Sequence, residues 1–179
     1  MRIGVDIDGV VADFVSAANG WVSREYGILS IPATTWNWFE GYPGGAAKWA
    51  ALWDKGIRQE KLLLTCAVIP GARHTVQRMM RHHEVVFVTY RPEDVMDQTH
   101  TWLERNIGRG FELMRTDDKS EAKADLHIDD HPETVDALRR SGLRSVLFRQ
   151  PWNRNWWTTL PSFNGWGDIS MALDGWDMQ

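Results

Sequence analysis

Cysteine is almost missing from this chain: Cys66 stands alone among 179 residues. One thiol can build neither an internal disulfide framework nor a multi-cysteine zinc site, which suits a reducing compartment. A basic excess is missing as well. The formal net charge of −4 argues against broad electrostatic binding to a nucleic-acid backbone, which needs a basic face. No apolar run approaches the length of a membrane span. The N-terminus opens directly on a strand-like run, Ile3 to Ile7, without the basic and then apolar regions of a signal peptide. Internal repeats and low-complexity tracts are lacking too. The expectation is a cytoplasmic protein with neither a nucleic-acid polymer nor a membrane as partner.

What is present suits one compact domain with room for a modest insertion. The 43% apolar and 25% charged fractions are ordinary for a globular chain and name no function. The unusual count is 11 Trp. Several of them cluster, at Trp36 and Trp38, at Trp49 and Trp53, and at Trp152, Trp156 and Trp157. Aromatic planes stack on bases, yet they are also good core material.

Periodicity predicts a buried strand over residues 2–7 and helical spacing from Val10 to Tyr26. A Pro-, Gly- and Trp-rich stretch follows, then a second helical pattern from Ala46 to Trp53, so residues 15–64 read as a helical insertion. Beyond Ile69-Pro70-Gly71 the pattern alternates. It runs through a helix at 72–82, a strand at 84–89, a helix at about 93–106, strands at 111–115 and 126–128, a helix at 132–141 and a strand at 145–148. Strands alternating with helices imply a parallel sheet with right-handed crossovers. From Pro151 onward no clear period is seen.

Three predicted strands end in suggestive residues: Asp6 and Asp8, Thr89, and Asp129 with Asp130. Ligands of open parallel sheets bind at the carboxyl ends of the strands, so these residues should converge. Two carboxylates at i and i+2 could place one carboxylate and the backbone carbonyl between them around a metal, leaving the second carboxylate for proton transfer. The adjacent Asp129 and Asp130 repel unless a cation or a raised pKa relieves them. Oxygen-only ligands favour Mg²⁺, although either Asp could instead cap the helix that begins at Pro132. Lys119 and Lys123 compete for the role of a cation beside the phosphate. Thr89 and Arg91 could hold phosphate oxygens.

In order, Asp6-x-Asp8-Gly9-Val10, Thr89, Lys119 and Asp129-Asp130 resemble the four motifs of the haloacid dehalogenase superfamily. Within it, Asp6 to Phe14, Ile69-Pro70-Gly71-Ala72, Trp102-Leu103-Glu104, Asp118-Lys119-Ser120 and Ala124 to Asp130 are similar to the 5′(3′)-deoxyribonucleotidase family. The resemblance implies a Rossmann-like core, residues 1–14 and 65–179, with a small helical cap, residues 15–64, inserted after the first strand. It selects Lys119 over Lys123. It makes Asp6 the nucleophile and Asp8 the proton handler, with Thr89 and Lys119 on the transferred phosphoryl group. Mg²⁺ would be held by Asp6, the Asp8 carbonyl and Asp130, with Asp129 beside it. Phe14 would help wall the nucleotide pocket.

One departure concerns the second motif, which in the family usually reads Thr-Ser-Pro and here reads Thr89-Tyr90-Arg91-Pro92. The cap also matches poorly, so its Trp residues divide between stacking on substrate and packing the insertion. Trp152, Trp156 and Trp157 are assigned to core packing or to a subunit contact, which would fit a homodimer. The expected substrate is a deoxyribonucleoside 5′-monophosphate. A sugar phosphate or other small phosphomonoester is the alternative, ahead of a phospho-receiver or a silent nucleotide-binding protein.

Overall fold

The computed structural model describes residues 1–176. Six strands form one parallel sheet in the order β5-β4-β1-β6-β7-β8. They are β1 (Arg2–Val5), β4 (Glu84–Thr89), β5 (Glu112–Arg115), β6 (Leu126–Asp129), β7 (Ser145–Phe148) and β8 (Ser162–Phe163). A separate antiparallel pair joins β2 (Ala12–Asp13) to β3 (Ala67–Val68). The α/β class and parallel sheet expected from the alternating pattern are both present.

The central strands are buried over most of their length, with apolar residues dominating, because both faces are covered. Val85 and Phe87 enter one cluster with Ile3, Val5, Val76, Met79, Trp102 and Leu103. Val86 and Val88 point the other way, toward Ala122. Helices α3 (Ala72–His82) and α4 (Met96–Asn106) belong to the first face, while α5 (Pro132–Arg140) covers β7 through Val135 and Leu147. Strand order turns at β1, which lies between β4 and β6. A crevice therefore opens beyond the carboxyl end of β1.

Between β2 and β3 lie α1 (Phe14–Tyr26), α2 (Gly45–Ala51) and a π-helical run, Leu52–Gln59. They share an apolar cluster of their own around Trp21, Leu52, Ile57 and Leu63. Gly56 lies so close to Trp21 that an added Cβ would come within 2.9 Å of the indole, so this crossing needs a residue without a side chain.

Two expectations are corrected. Helical spacing is predicted from Val10, yet α1 begins at Phe14. The Asp13 carboxylate caps it by accepting from the Ser16 N–H at 3.0 Å, and residues 10–12 are held by N–H bonds to the Ile7 carbonyl. The tail, read as lacking a period, contains β8 and α6 (Trp166–Trp176). Trp166, Ile169 and Leu173 of α6 reach the main core. Their i, i+3, i+7 spacing is helical, but Asn, Gly and Trp around it obscure the pattern.

Candidate active site

Sheet register brings the predicted residues together. Val5 pairs with Phe87 on one side and Ile128 on the other, so Asp6 leaves β1 level with Asp129, and its N–H donates to the Ile128 carbonyl at 2.9 Å. The chain then makes a tight turn in which Gly9 has φ +78°. A Cβ at Gly9 would lie 2.2 Å from Asp130 Oδ2 and 2.8 Å from the Trp152 ring. Close packing of the acidic loops and positive φ both require glycine there.

Lys119 Nζ lies at the centre. It donates to Asp6 Oδ1 at 2.6 Å and to Asp129 Oδ2 at 2.7 Å, and its side chain is 3% exposed. It sits in a short 3-10 turn whose preceding residue, Asp118, accepts from the Ser120 N–H at 2.9 Å. Lys123, at the end of that turn, is exposed with φ +49°. Asp129 Oδ1 accepts the His131 N–H at 2.8 Å. Thr89 is buried at the end of β4, and its Oγ1 accepts the Arg91 N–H at 3.1 Å, which leaves the hydroxyl proton available to a phosphoryl oxygen.

Oxygens of Asp6, Asp129 and Asp130 all lie within 4.8 Å of one another. Three buried carboxylates face one ammonium, so with all of them ionised the cluster carries two uncompensated negative charges. A hard divalent cation fits both that charge and the all-oxygen donor set. Burial above all, with Asp129 and Asp8 adding to it and Lys119 opposing it, pushes the Asp6 carboxyl up to about 7. Burial and the neighbouring Asp6 and Asp129 likewise raise Asp130 well above the carboxylate range. Burial would lower the Lys119 ammonium, but Asp129 and Asp6 outweigh it and hold it above the ordinary lysine value.

These shifts predict a pH-dependent response to metal. An acid whose folded pKa is raised holds a proton that the unfolded chain has lost, so Asp6 costs stability increasingly as pH rises from about 4 toward about 7. A divalent cation binds the ionised form and relieves that cost. Saturating Mg²⁺ should therefore raise the melting temperature more above pH 7 than below pH 6; where the cation binds the ionised cluster, a hundredfold excess over Kd contributes about 2.7 kcal/mol of stability. Thermal melts with Mg²⁺ or EDTA check this, and an increment independent of pH would count against the carboxylate cluster as the binding site.

Arg91, expected to hold phosphate oxygens, lines the cleft with its guanidinium engaged by protein groups. Its Nε and one terminal nitrogen grip the two Asp8 oxygens at 2.9 and 2.6 Å, and the other terminal nitrogen donates to Thr99 Oγ1 at 3.0 Å. Burial works against the Arg91 charge, but Asp8 outweighs it and raises the guanidinium further.

Above this floor is a cleft of about 780 Å³ whose walls include Phe14, Trp36, Trp38, Trp49 and Trp53. Of the five Trp residues between β2 and β3, these four line the cleft, and Trp21 is buried in the apolar cluster behind them. Phe14 stands edge-on to Trp49, with centroids 6.2 Å apart, and tilted against Trp53 at 6.4 Å. Trp36 reaches across to His131, ring to ring at 4.2 Å.

The C-terminal segment also supplies residues that the sequence reading does not place at the site. Trp152 Nε1 donates to Asp130 Oδ2 at 2.7 Å, and Asn153 Nδ2 to the Asp130 carbonyl at 2.8 Å. Gln150 Nε2 donates to the Gly9 carbonyl at 2.6 Å and Trp166 Nε1 to the Val10 carbonyl at 2.7 Å. Trp156 and Trp157 do pack as core, against Val135, Leu147 and Leu160. Partners of metal-binding carboxylates commonly set affinity by 10- to 100-fold. Trp152→Phe, which keeps a ring and loses the N–H, should weaken Mg²⁺ binding by roughly tenfold. Titration calorimetry on the folded variant would show this, and unchanged affinity would reduce Trp152 to a packing residue.

Among known proteins, the family described as 5′ nucleotidase, deoxy (pyrimidine), cytosolic type C protein matches residues 1–173. A Chlorobaculum tepidum protein named "Putative 5′(3′)-deoxyribonucleotidase" is 29% identical over 167 residues, covering 86% of this chain and 81% of its own. The human mitochondrial 5′(3′)-deoxyribonucleotidase is 25% identical over 202 residues, covering 97% of this chain and 82% of its own. Among solved structures, a Bacillus subtilis protein named "putative HAD-hydrolase YfnB", bound to magnesium, superposes with a TM-score of 0.64 at 14% identity. That likeness covers 97% of this chain and 98% of the other, and it shows the shared fold.

Proposed function

We propose that this chain, which belongs to the 5′ nucleotidase, deoxy (pyrimidine), cytosolic type C family, hydrolyses deoxyribonucleoside 5′-monophosphates through an aspartyl-phosphate on Asp6. Membership makes it a phosphoric monoester hydrolase of the 5′-nucleotidase type, with the haloacid dehalogenase fold. One observation carries the mechanism. The Asp6 carboxylate lies 2.6 Å from a buried ammonium at the floor of a cleft, where an attacking oxygen and the charge of a phosphoryl group can be accommodated together.

An Asp6 oxygen attacks phosphorus, the bond from phosphorus to the 5′ oxygen breaks, and that oxygen takes a proton from the Asp8 carboxyl. Water then attacks the same phosphorus and gives its proton to Asp8. The bond to Asp6 breaks, releasing inorganic phosphate and restoring both side chains. Thr89 and Lys119 hold the phosphoryl oxygens through these steps. Asp6, the Asp8 carbonyl and Asp130, with Asp129 beside them, would hold Mg²⁺. When bound, the cation supplies charge neutralisation and fixes the line of attack.

Residues 15–64 act in this reading as a cap. Trp36, Trp38, Trp49 and Trp53, with Phe14, form the aromatic wall against which a base and sugar would lie. The cytosolic description of the family and the single buried Cys66 support a cytoplasmic setting, and among the described residues no helix is long and apolar enough to cross a membrane. The second reading, a sugar phosphate or other small phosphomonoester, is favoured by the departure at Tyr90-Arg91. Phosphate release with Mg²⁺ across a panel of deoxyribonucleotides, ribonucleotides and sugar phosphates decides between them. Comparable turnover of sugar phosphates would sink the nucleotide assignment, and burst-phase labelling of Asp6 tests the covalent step.

A further inference from the structure

We propose that Arg91 is a positioning residue that fixes the Asp8 carboxylate for proton transfer, and that it does not bind the substrate phosphate. The inference rests on the phosphatase reading above and assigns a part within it. Its basis is the bidentate grip on both Asp8 oxygens, together with the anchoring of the guanidinium behind them. The third nitrogen is fixed by Thr99 Oγ1, which in turn donates to the Val95 carbonyl at 3.0 Å. Thr99 is fully buried and the Arg91 side chain is 2% exposed, whereas Asp8 remains 33% exposed toward the cleft. The arginine is therefore held from the protein side, and the carboxylate it holds faces the substrate.

A fork-to-carboxylate pair imposes one plane and one rotation on the acid, which a point charge cannot do. Each Asp8 oxygen has two lone pairs, and the grip uses one of each. The remaining site can carry the proton that moves to the 5′ oxygen and later receives one from water. Swinging the guanidinium away from Asp8 toward a phosphoryl oxygen would break these bonds, which together use three of its five N–H donors.

The consequence depends on the leaving group. A nucleoside 5′ oxygen must be protonated as it departs, while a nitrophenolate leaves without a proton. Arg91→Met should lower kcat on a deoxyribonucleoside 5′-monophosphate by roughly 10²-fold, the scale of a general acid–base contribution. The pre-steady-state burst of nitrophenolate from p-nitrophenyl phosphate, which reports Asp6 phosphorylation alone, should stay within about threefold of the parent, as should inhibition by inorganic phosphate. Arg91→Lys should restore little, because it cannot grip both oxygens. Thr99→Val, which touches neither Asp8 nor the cleft, should give a smaller loss with the same leaving-group signature, and it carries the test if Arg91→Met fails to fold.

A loss of tenfold or more in both the burst and the phosphate inhibition constant would overturn the proposal and make Arg91 a phosphate ligand. Equal losses on both substrates with unchanged phosphate inhibition would reduce it to a structural residue. Parent protein that turns over p-nitrophenyl phosphate but no nucleotide would instead refute the nucleotide reading, and the burst comparison at Arg91 would still stand.

Discussion

Asp6→Asn should stop phosphate release, by on the order of 10⁴-fold or more, while the protein stays folded. The amide has nearly the shape of the carboxylate but is a poor nucleophile. It also removes one of three buried negative charges from a cluster that has a single ammonium. Since burial already pushes the Asp6 carboxyl up to about 7, losing its charge should not lower the melting temperature of the metal-free protein above that pH. Activity with Mg²⁺, a thermal melt and acid-quench labelling check the three parts together. Substantial turnover with a normal melt would remove Asp6 from the nucleophile's role. Labelled phosphate on Asp6 in the parent, absent from the variant, supports it directly. Asp8→Asn offers a contrast, because with a good leaving group Asp6 should still be phosphorylated and then fail to be relieved by water.

The residues that converge at the cleft floor are legible in the sequence where local chemistry and strand ends coincide. Asp6, Thr89 and Asp129 each close a run of apolar residues, and burial of β1, β4 and β6 on both faces writes those runs plainly. Parallel topology then obliges the strand ends to meet. Lys119 and Lys123 are indistinguishable by composition. What separates them is the backbone of one 3-10 turn, which directs the first inward and leaves the second exposed.

Less legible are contacts between residues far apart in the chain. Arg91 and Asp8 are 83 positions apart, and Trp152 and Asp130 are 22 apart. Nothing local to Trp152 marks it as different from Trp156, which packs into a core cluster. Helix α6 was hidden for another reason. Its apolar stripe is sparse, and the segment before it, Pro151 to Gly165, carries turn residues that break any period.

The second large effect is expected at Lys119. Lys119→Met replaces the charge with a side chain of similar length, and it leaves Asp6, Asp129 and Asp130 buried together with no cation between them. Breaking a buried pair by removing one partner typically costs about 3–5 kcal/mol, and the phosphoryl group loses its charged partner at the same time. Turnover should fall by roughly 10²- to 10³-fold, the scale seen when one donor to developing charge is removed.

The stability loss should depend on pH in a way that a packing defect would not. Lys119 opposes the rise of the Asp6 and Asp130 carboxyls, so its removal raises them further and widens the gap from their unfolded values. The folded variant then holds protons to higher pH than the parent does. Its deficit is therefore smallest in acid, where the carboxylates are neutral, and grows as pH rises through the window above the unfolded carboxylate range. Mg²⁺ should recover part of the deficit above pH 7 by supplying the missing positive charge. Urea midpoints at acid and alkaline pH, with and without Mg²⁺, measure both effects. A deficit of the same size under all four conditions would mean that Lys119 serves this fold by its aliphatic stem, with its charge playing no part in holding the carboxylates together.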